Sequence, residues 1–290
     1  MKKTILKISI LSLALSPLFI ACDKTSDDPE LPTIGGYNSS DEVAAANLAG
    51  YWSFDGSTSE SVSNLTGTAT NTTFTTGKKG QALKGAEGGY VLYENAGTKL
   101  NNLGSFSTAF WLNTAQYTDG ARAIFQIVDE DGFWPNLHVG LEPYAKDGVG
   151  VTDTLRFKME FQNSTAPAWV NQFIETKIGQ STDKWVHIVT QYDGGTSTYS
   201  IYVNGAKIDI GDAANRYGSN PAEGGTGLGN LVFDKAQRII FGAWKQQLPG
   251  NTPDGWMGNY TGMIDEFRVY NKALTDAEVK ALFDLETAGR

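Results

Sequence analysis

Gly262-Met-Ile-Asp-Glu-Phe-Arg-Val-Tyr270, continued by Asn271-Lys-Ala-Leu-Thr-Asp-Ala-Glu-Val-Lys-Ala-Leu-Phe283, decides the fold. In its first half apolar Ile264, Phe267 and Val269 are set against charged Asp265, Glu266 and Arg268, and Val269 and Tyr270 suit a strand. The second half changes period. Ala277, Val279, Leu282 and Phe283 follow helical spacing, and Thr275 with Glu278 three residues on forms a capping box. There the hydroxyl and the carboxylate satisfy backbone N–H groups that have no partner at a helix start. The spacing predicts a last strand followed by a short terminal helix.

Upstream of it the chain reads as strands joined by turns. Leu48 to Gly56 opens with Trp52 and Phe54 facing inward. Ser57 to Thr76 is polar, with Val62, Leu65 and Phe74 its large apolar side chains. Phe106, Thr108, Phe110 and Leu112 share one face, and Ala123–Val128 reads as a buried strand. Leu155, Phe157, Met159 and Phe161 point inward while Arg156, Lys158, Glu160 and Gln162 point outward, as in a sheet with one wet face. Trp185–Tyr192, Thr198–Val203 and Ala206–Ile210 form three antiparallel strands, the last two joined at Asn204-Gly205. Asn-Gly is a strong type I′ hairpin signal because both central residues need positive φ. Gly211–Gly229 and Gln246–Asn259 are loops on either side of a strand at Arg238–Ala243.

Composition bounds the rest. The 290 residues suffice for one large β-domain or two small ones. With 33 Gly and 9 Pro against 11% aromatics, the chain is turn-rich and globular rather than disordered. A formal net charge of -9 argues against nucleic acid, whose phosphates it would repel. Removing the leader lysines makes the remainder more acidic still. Cys22 is the one cysteine, so no intramolecular disulfide can form.

Residues 1–21 read as a signal peptide: Lys2 and Lys3 precede an apolar run, Ile8–Ala21, that is too short to span a bilayer. Its end, Leu18-Phe-Ile-Ala-Cys22, resembles a bacterial lipobox, which implies lipidation of Cys22. The acidic cluster after it, Asp23–Glu30, resembles the export signals of Bacteroidota lipoproteins. That implies an outer-membrane lipoprotein exposed at the cell surface; a periplasm-facing one is the alternative. Residues 22–46 are expected to be a flexible linker, with one helical turn at Asp41–Asn47, and residues 47–287 the folded domain.

The landmarks from Leu48 to Leu285 resemble those of laminin G-like domains of the concanavalin A-like lectin/glucanase superfamily. They include the aromatic-Phe-Asp strand, Gly80-Gln-Ala-Leu83, Ser105–Leu112, the Trp185-x-His187 strand and the terminal signature, all in the family's order. The resemblance implies an all-β, antiparallel two-sheet jelly-roll sandwich. It also implies a structural calcium ion, carried over to Asp55 and Asp265 with carbonyls of Gly56 and Gly88. The alternative is that Asp55 starts a turn and Asp265 pairs with a basic side chain. The Glu-x-Asp-x-x-Glu strand of the superfamily's β-glucanases does not occur, so no catalytic residue is assigned.

Trp134, Trp169, Trp244 and Trp256 fall in or beside loops, and an exposed indole offers a flat apolar face to a sugar ring. Arg122, Asp131, Asn136 and Gln162 are the polar partners expected with them. For each indole the alternative is capping an end of the sandwich. The reading is non-catalytic carbohydrate binding, with capture of glycan at the surface. A protein-binding adhesion module, or a glycoside hydrolase or lyase with dispersed acids, are the alternatives.

Overall fold

The computed structural model describes residues 31–143, 152–164, 171–219 and 225–290. The chain divides into two units, Met1–Pro32 and Thr33–Arg290, and the second holds the folded domain. It is a two-sheet antiparallel jelly-roll sandwich. The first sheet runs β15 (Ala206–Ile208), β14 (Thr198–Val203), β13 (Val186–Asp193), β8 (Phe106–Asn113), β18 (Met263–Tyr270), β6 (Gln81–Lys84) and β5 (Thr73–Thr76), with β1 (Leu48–Trp52) also on β18. The second runs β12 (Gln172–Gly179), β11 (Thr154–Phe161), β10 (Leu137–Glu142), β9 (Ala121–Asp129), β16 (Ala236–Phe241), β7 (Tyr90–Tyr93) and β4 (Thr68–Thr70). The short β17 (Met257–Asn259) lies parallel to β9, and β2 (Ser59–Glu60) pairs with β3 (Leu65–Thr66) apart from both sheets.

The terminal stretch explains its own irregular alternation. Ile264 and Phe267 are three residues apart, yet both are buried in the one core between the sheets. A bulge between Asp265 and Arg268 absorbs the extra residue, with Glu266 at φ 51. The strand then feeds α2 (Asp276–Thr287), and Thr275 and Glu278 make the reciprocal cap that the sequence predicts. Asn204 and Gly205 have φ of 50 and 77, as a type I′ turn needs.

Aromatic side chains from both sheets meet in the core. Trp52 of β1 has its ring 5.1 Å from Phe241, 5.8 Å from Phe125, 5.9 Å from Phe267 and 6.0 Å from Tyr93. On the far side of the first sheet, α2 buries Val279, Leu282 and Leu285 against Ala109, Val189, Tyr202 and Tyr270.

The residues expected to be linker up to 46 are packed from Thr33 on. Val43 is buried in the cluster under α2, Ser40 N–H donates to the Arg290 carbonyl, and two 3-10 turns cover Ser40–Glu42 and Ala45–Asn47. The polar stretch 57–76 contains β2 to β5. A second helix, α1 (Gly97–Leu100), is a single turn.

The first sheet is thus closed on its outer face, while the outer face of β10, β11 and β12 carries polar and aromatic side chains. Trp52→Ala should cost about 3–5 kcal/mol of stability, the usual range for emptying a buried aromatic site. A urea titration checks it: the midpoint falls with the m-value unchanged, and an unshifted midpoint would contradict a core centred on Trp52.

Candidate functional site

Cross-strand register builds the floor of the site. His138 of β10 lies opposite Glu160 of β11, which lies opposite Phe173 of β12. The next rows are Gly140–Lys158–Glu175 and Glu142–Arg156–Lys177. Phe173, Glu175 and Lys177 alternate outward because Ile174 and Ile178 alternate into the core.

Two loops set aromatic rings over this floor. The β9–β10 loop supplies Phe133 and Trp134, and the segment between β16 and β17 supplies Trp244 and Trp256. The Trp134 ring lies 4.8 Å from Phe133, 5.5 Å from Phe173 and 6.1 Å from Trp256. Trp256 packs edge-on to Trp244 at 5.1 Å, and Trp244 stacks on His138 at 4.3 Å. The upper members are open: Phe133 is 47% exposed, Phe173 44% and Trp256 37%. With Val232 and Leu31 they are the exposed large hydrophobic side chains among the described residues. Val232 N–H donates to Asn163, which lines a pocket beside Trp134. Three of these five side chains, Phe133, Phe173 and Trp256, therefore gather around one indole.

The loops are braced from below. Lys245, itself buried, donates its ammonium to the carbonyls of Asp129 and Gly132, and Gln246 Nε2 donates to the Phe133 carbonyl at 2.9 Å. Gln162 Nε2 holds the Trp134 carbonyl at 2.9 Å, and Trp244 Nε1 donates to the Ala121 carbonyl at 3.0 Å. Such bracing fixes ring positions before a ligand arrives, which lowers the ordering cost of binding. Trp134 also stands between two pockets. One, of about 260 Å³, is lined by Ala121, Pro143, Glu142, Lys158 and Trp256; the other, of about 330 Å³, by Asp129, Asp131, Gln162, Asn163 and Lys235.

Two buried ionisable groups lie in the floor. Glu160 accepts from Asn171 Nδ2 at 2.8 Å, and its other oxygen has no partner. Burial pushes its carboxyl up to about 8, against the downward pull of Asn171 and Lys158. Glu160 is therefore protonated at neutral pH. His138 is pushed well below the usual range by burial and by Lys158, so it is neutral. His187, under α2, falls to about 3 by burial and by the charges of Arg268 and Lys78.

The structure separates the residues proposed from sequence. Trp134, Trp256, Asp131 and Gln162 come together at the platform. Trp244 is 1% exposed and Asn136 fully buried, donating to Gln162 O and Ser164 Oγ, so both support the platform from beneath. Arg122 is buried against Gly258 and the Tyr117 ring, with Asp119 as its ion partner. The alternative of indoles as packing groups thus holds for Trp244. Trp169 and Cys22 lie outside the described residues. Phe133, Phe173, Lys158 and Glu142 escaped the sequence reading. The signal for Phe173 is an aromatic at the outward position of an alternating strand.

The residues expected to hold calcium are brought only partly together. Asp55 Oδ1 accepts from Gln81 N–H at 2.7 Å, and Asp265 Oδ2 from Lys78 and Lys79 N–H at 2.7 and 2.9 Å. Both carboxylates thus clasp the β5–β6 turn, with Gly56 beside Gln81. Gly88 sits by Asn71 and donates to Asn259. Asp265 Oδ1 takes the Glu266 N–H as well, so its oxygens face donors, a poor fit to a cation. Among the described residues no three His, Cys, Asp or Glu side chains form a metal-binding group.

The sandwich thus carries a braced aromatic platform on the outer face of its second sheet. A laminin G family profile, described as the concanavalin A-like lectin/glucanases superfamily, matches residues 84–280, and the chain belongs to that superfamily. No curated protein matches the sequence. Domain 4 of AbnA, a GH43 extracellular arabinanase from Geobacillus stearothermophilus solved with arabinotriose, is similar in fold. Its TM-score is 0.50 at 19% identity, over 81% of this chain and 98% of that one. The binding domain of botulinum neurotoxin serotype G has a TM-score of 0.54 at 14% identity, over 82% of this chain. The binding domain of botulinum neurotoxin DC, solved with rat synaptotagmin II, has a TM-score of 0.52 at 15% identity, over 84% of this chain. The matches cover 51% and 52% of the two toxin chains. At these identities the likeness shows the fold.

Glu160 gives a pH prediction. Its folded value lies above its unfolded one, so its contribution to stability is full below the unfolded value of about 4.5 and declines as pH rises to about 8. The slope is at most about 1.4 kcal/mol per pH unit. Glu160→Gln, which mimics the protonated carboxyl, should flatten stability between the unfolded value of about 4.5 and the folded value of about 8 in denaturant titrations. Parallel curves for the two proteins would contradict a buried neutral Glu160.

Proposed function

We propose that this chain is a lipid-anchored outer-membrane lipoprotein, exposed at the cell surface, whose jelly roll binds carbohydrate without cleaving it and captures glycan there. The observation that carries this reading is the group of exposed Trp256, Phe173 and Phe133 around half-buried Trp134, beside two polar-lined pockets. Aromatic faces take the C–H faces of sugar rings, and flanking carboxyl, amide and ammonium groups take their hydroxyls. The arabinanase domain solved with arabinotriose supports it from the same fold. Anchoring rests on the sequence around Cys22, and Thr33 as the start of the packed unit leaves a short acidic tether after it.

Protein binding is the second reading. It is favoured by the apolar character of Phe133, Phe173 and Val232 and by the toxin binding domain solved with synaptotagmin II. Neither reading depends on calcium, because the Asp265 oxygens that would take it already accept N–H groups.

The chain from Asp23 onward, screened against a polysaccharide panel with and without calcium, should bind at least one neutral polymer. Trp134→Ala and Trp256→Ala should each weaken that binding roughly tenfold or more, on the scale of ~1–3 kcal/mol per stacked ring. Trp244→Ala should instead lower stability by about 3–5 kcal/mol. A folded protein that binds no glycan, with an equal response of all three variants in a protein pull-down, would shift the assignment to a protein partner. In cells, Cys22→Ser should abolish incorporation of labelled palmitate and release the chain from the membrane; retained label would exclude Cys22 as the anchor.

A further inference from the structure

The carbohydrate reading leaves the class of glycan open, and the charges around Trp134 narrow it. The cations that line the two pockets are already engaged. Lys158 Nζ lies 2.6 Å from Glu142, and Lys235 Nζ 3.1 Å from Asp131. Arg122 pairs with Asp119 at 3.0 Å, and Lys245 is spent on two backbone carbonyls. Further along, Arg156 pairs with Glu175 and Arg238 with Glu130. Asp129, in the wall of the larger pocket, accepts from the N–H groups of Asp131 and Gly132 and faces the charges of Lys245 and Lys235. The neighbouring sequence segments 144–151 and 165–170 hold one lysine and one aspartate between them, and so no net charge. A carboxylate or sulfate on a sugar would meet paired cations and a net negative chain.

The pockets also set a minimum length. At about 260 and 330 Å³, each stands at or below the low end of ordinary ligand sites, roughly 300–1,000 Å³. One indole, Trp134, lines both. A single ring fills one side only. A chain that crosses Trp134 fills both, with apolar Ala121, Pro143 and Trp256 on one side and the amides of Gln162 and Asn163 on the other.

We infer that the site takes an uncharged oligosaccharide of at least two sugar units laid across Trp134, and discriminates against uronate, sulfated and sialylated chains. This inference rests on the carbohydrate reading above.

Calorimetry on the chain from Asp23 onward tests it, with neutral oligosaccharides from one unit to six and with uronate and sulfated oligosaccharides of equal length, at low and at physiological salt. The neutral series should tighten at least tenfold between one unit and three and then level off. The anionic series should bind at least tenfold more weakly than neutral chains of the same length. Asp131→Asn frees Lys235, and should raise the ratio of anionic to neutral affinity about fivefold. Trp134→Phe, which keeps a ring in place, should reduce the gain with length. Tight binding of an anionic chain that depends on Trp134, or full affinity for a monosaccharide, overturns the inference and leaves carbohydrate binding standing. No affinity for any glycan overturns both.

Discussion

Arg268 is the point at which three parts of the chain are tied together. Its guanidinium is buried in β18, pairs with Glu286 of α2, Glu266 of its own strand and Asp41 of the N-terminal segment, and lies 4.1 Å from the Tyr51 ring. Tyr51 in turn donates to Glu266 at 2.9 Å. A buried ion cluster of this kind adds little net stability, because desolvation offsets much of the attraction. Its effect is on arrangement. A helix or an N-terminal segment docked in another register would leave one of these charges buried without a partner, at a cost of several kcal/mol (~3–5 for a broken buried pair). The bulge at Glu266 is part of the same device: by absorbing one residue it sends Ile264 and Phe267 into the core and still leaves Glu266 and Arg268 with buried partners.

The tie at Arg268 makes the two sheets unequal. The first sheet hides its outer face under α2 and the segment from Thr33 to Asn47. Among the described residues the second sheet has no such helix, and its outer face is covered in part, where Trp244, Leu248 and Met257 pack on Ala121, Ala123 and Val128. Exposed aromatic and polar residues can therefore gather at β10, β11 and β12 without competing with the core for the same side chains. The His138–Glu160–Phe173 row shows the cost. A carboxyl held under aromatic rings stays protonated, and its second oxygen goes without a partner. That is the kind of local conflict that marks functional regions more often than packing ones.

The sequence was most legible where burial follows a period. β11 alternates over most of its length, α2 announces itself by its cap, and the Asn204-Gly205 turn needs positive φ. It was least legible where polar groups organise the backbone. Glu60 is buried and accepts from the amides of Tyr51, Val62 and Ser63, ordering a stretch whose side chains show no apolar period. The N-terminal boundary failed for a related reason: Val43 is one buried residue in a polar segment, held by Asp41 and by the end of the chain. At the site, residue type alone could not tell Trp134 from Trp244. Both lie in loops, but Trp244 N–H and Nε1 already have partners and its ring covers His138.

The same contrast separates a recognition surface from a catalytic one. A hydrolytic site needs two carboxyl groups at a set separation, one able to give a proton and one to stay charged beside the sugar. Here the protonated carboxyl, Glu160, is wholly buried, and the charged one nearest along the floor, Glu142, is bound to Lys158. The other acids at the platform hold backbone amides or a lysine. Their bonds fix the loops that carry Trp134, and a carboxylate held in that way is poorly placed to move a proton. The acids of this face build the platform, and in the proposed carbohydrate reading the rings are left to meet the sugar.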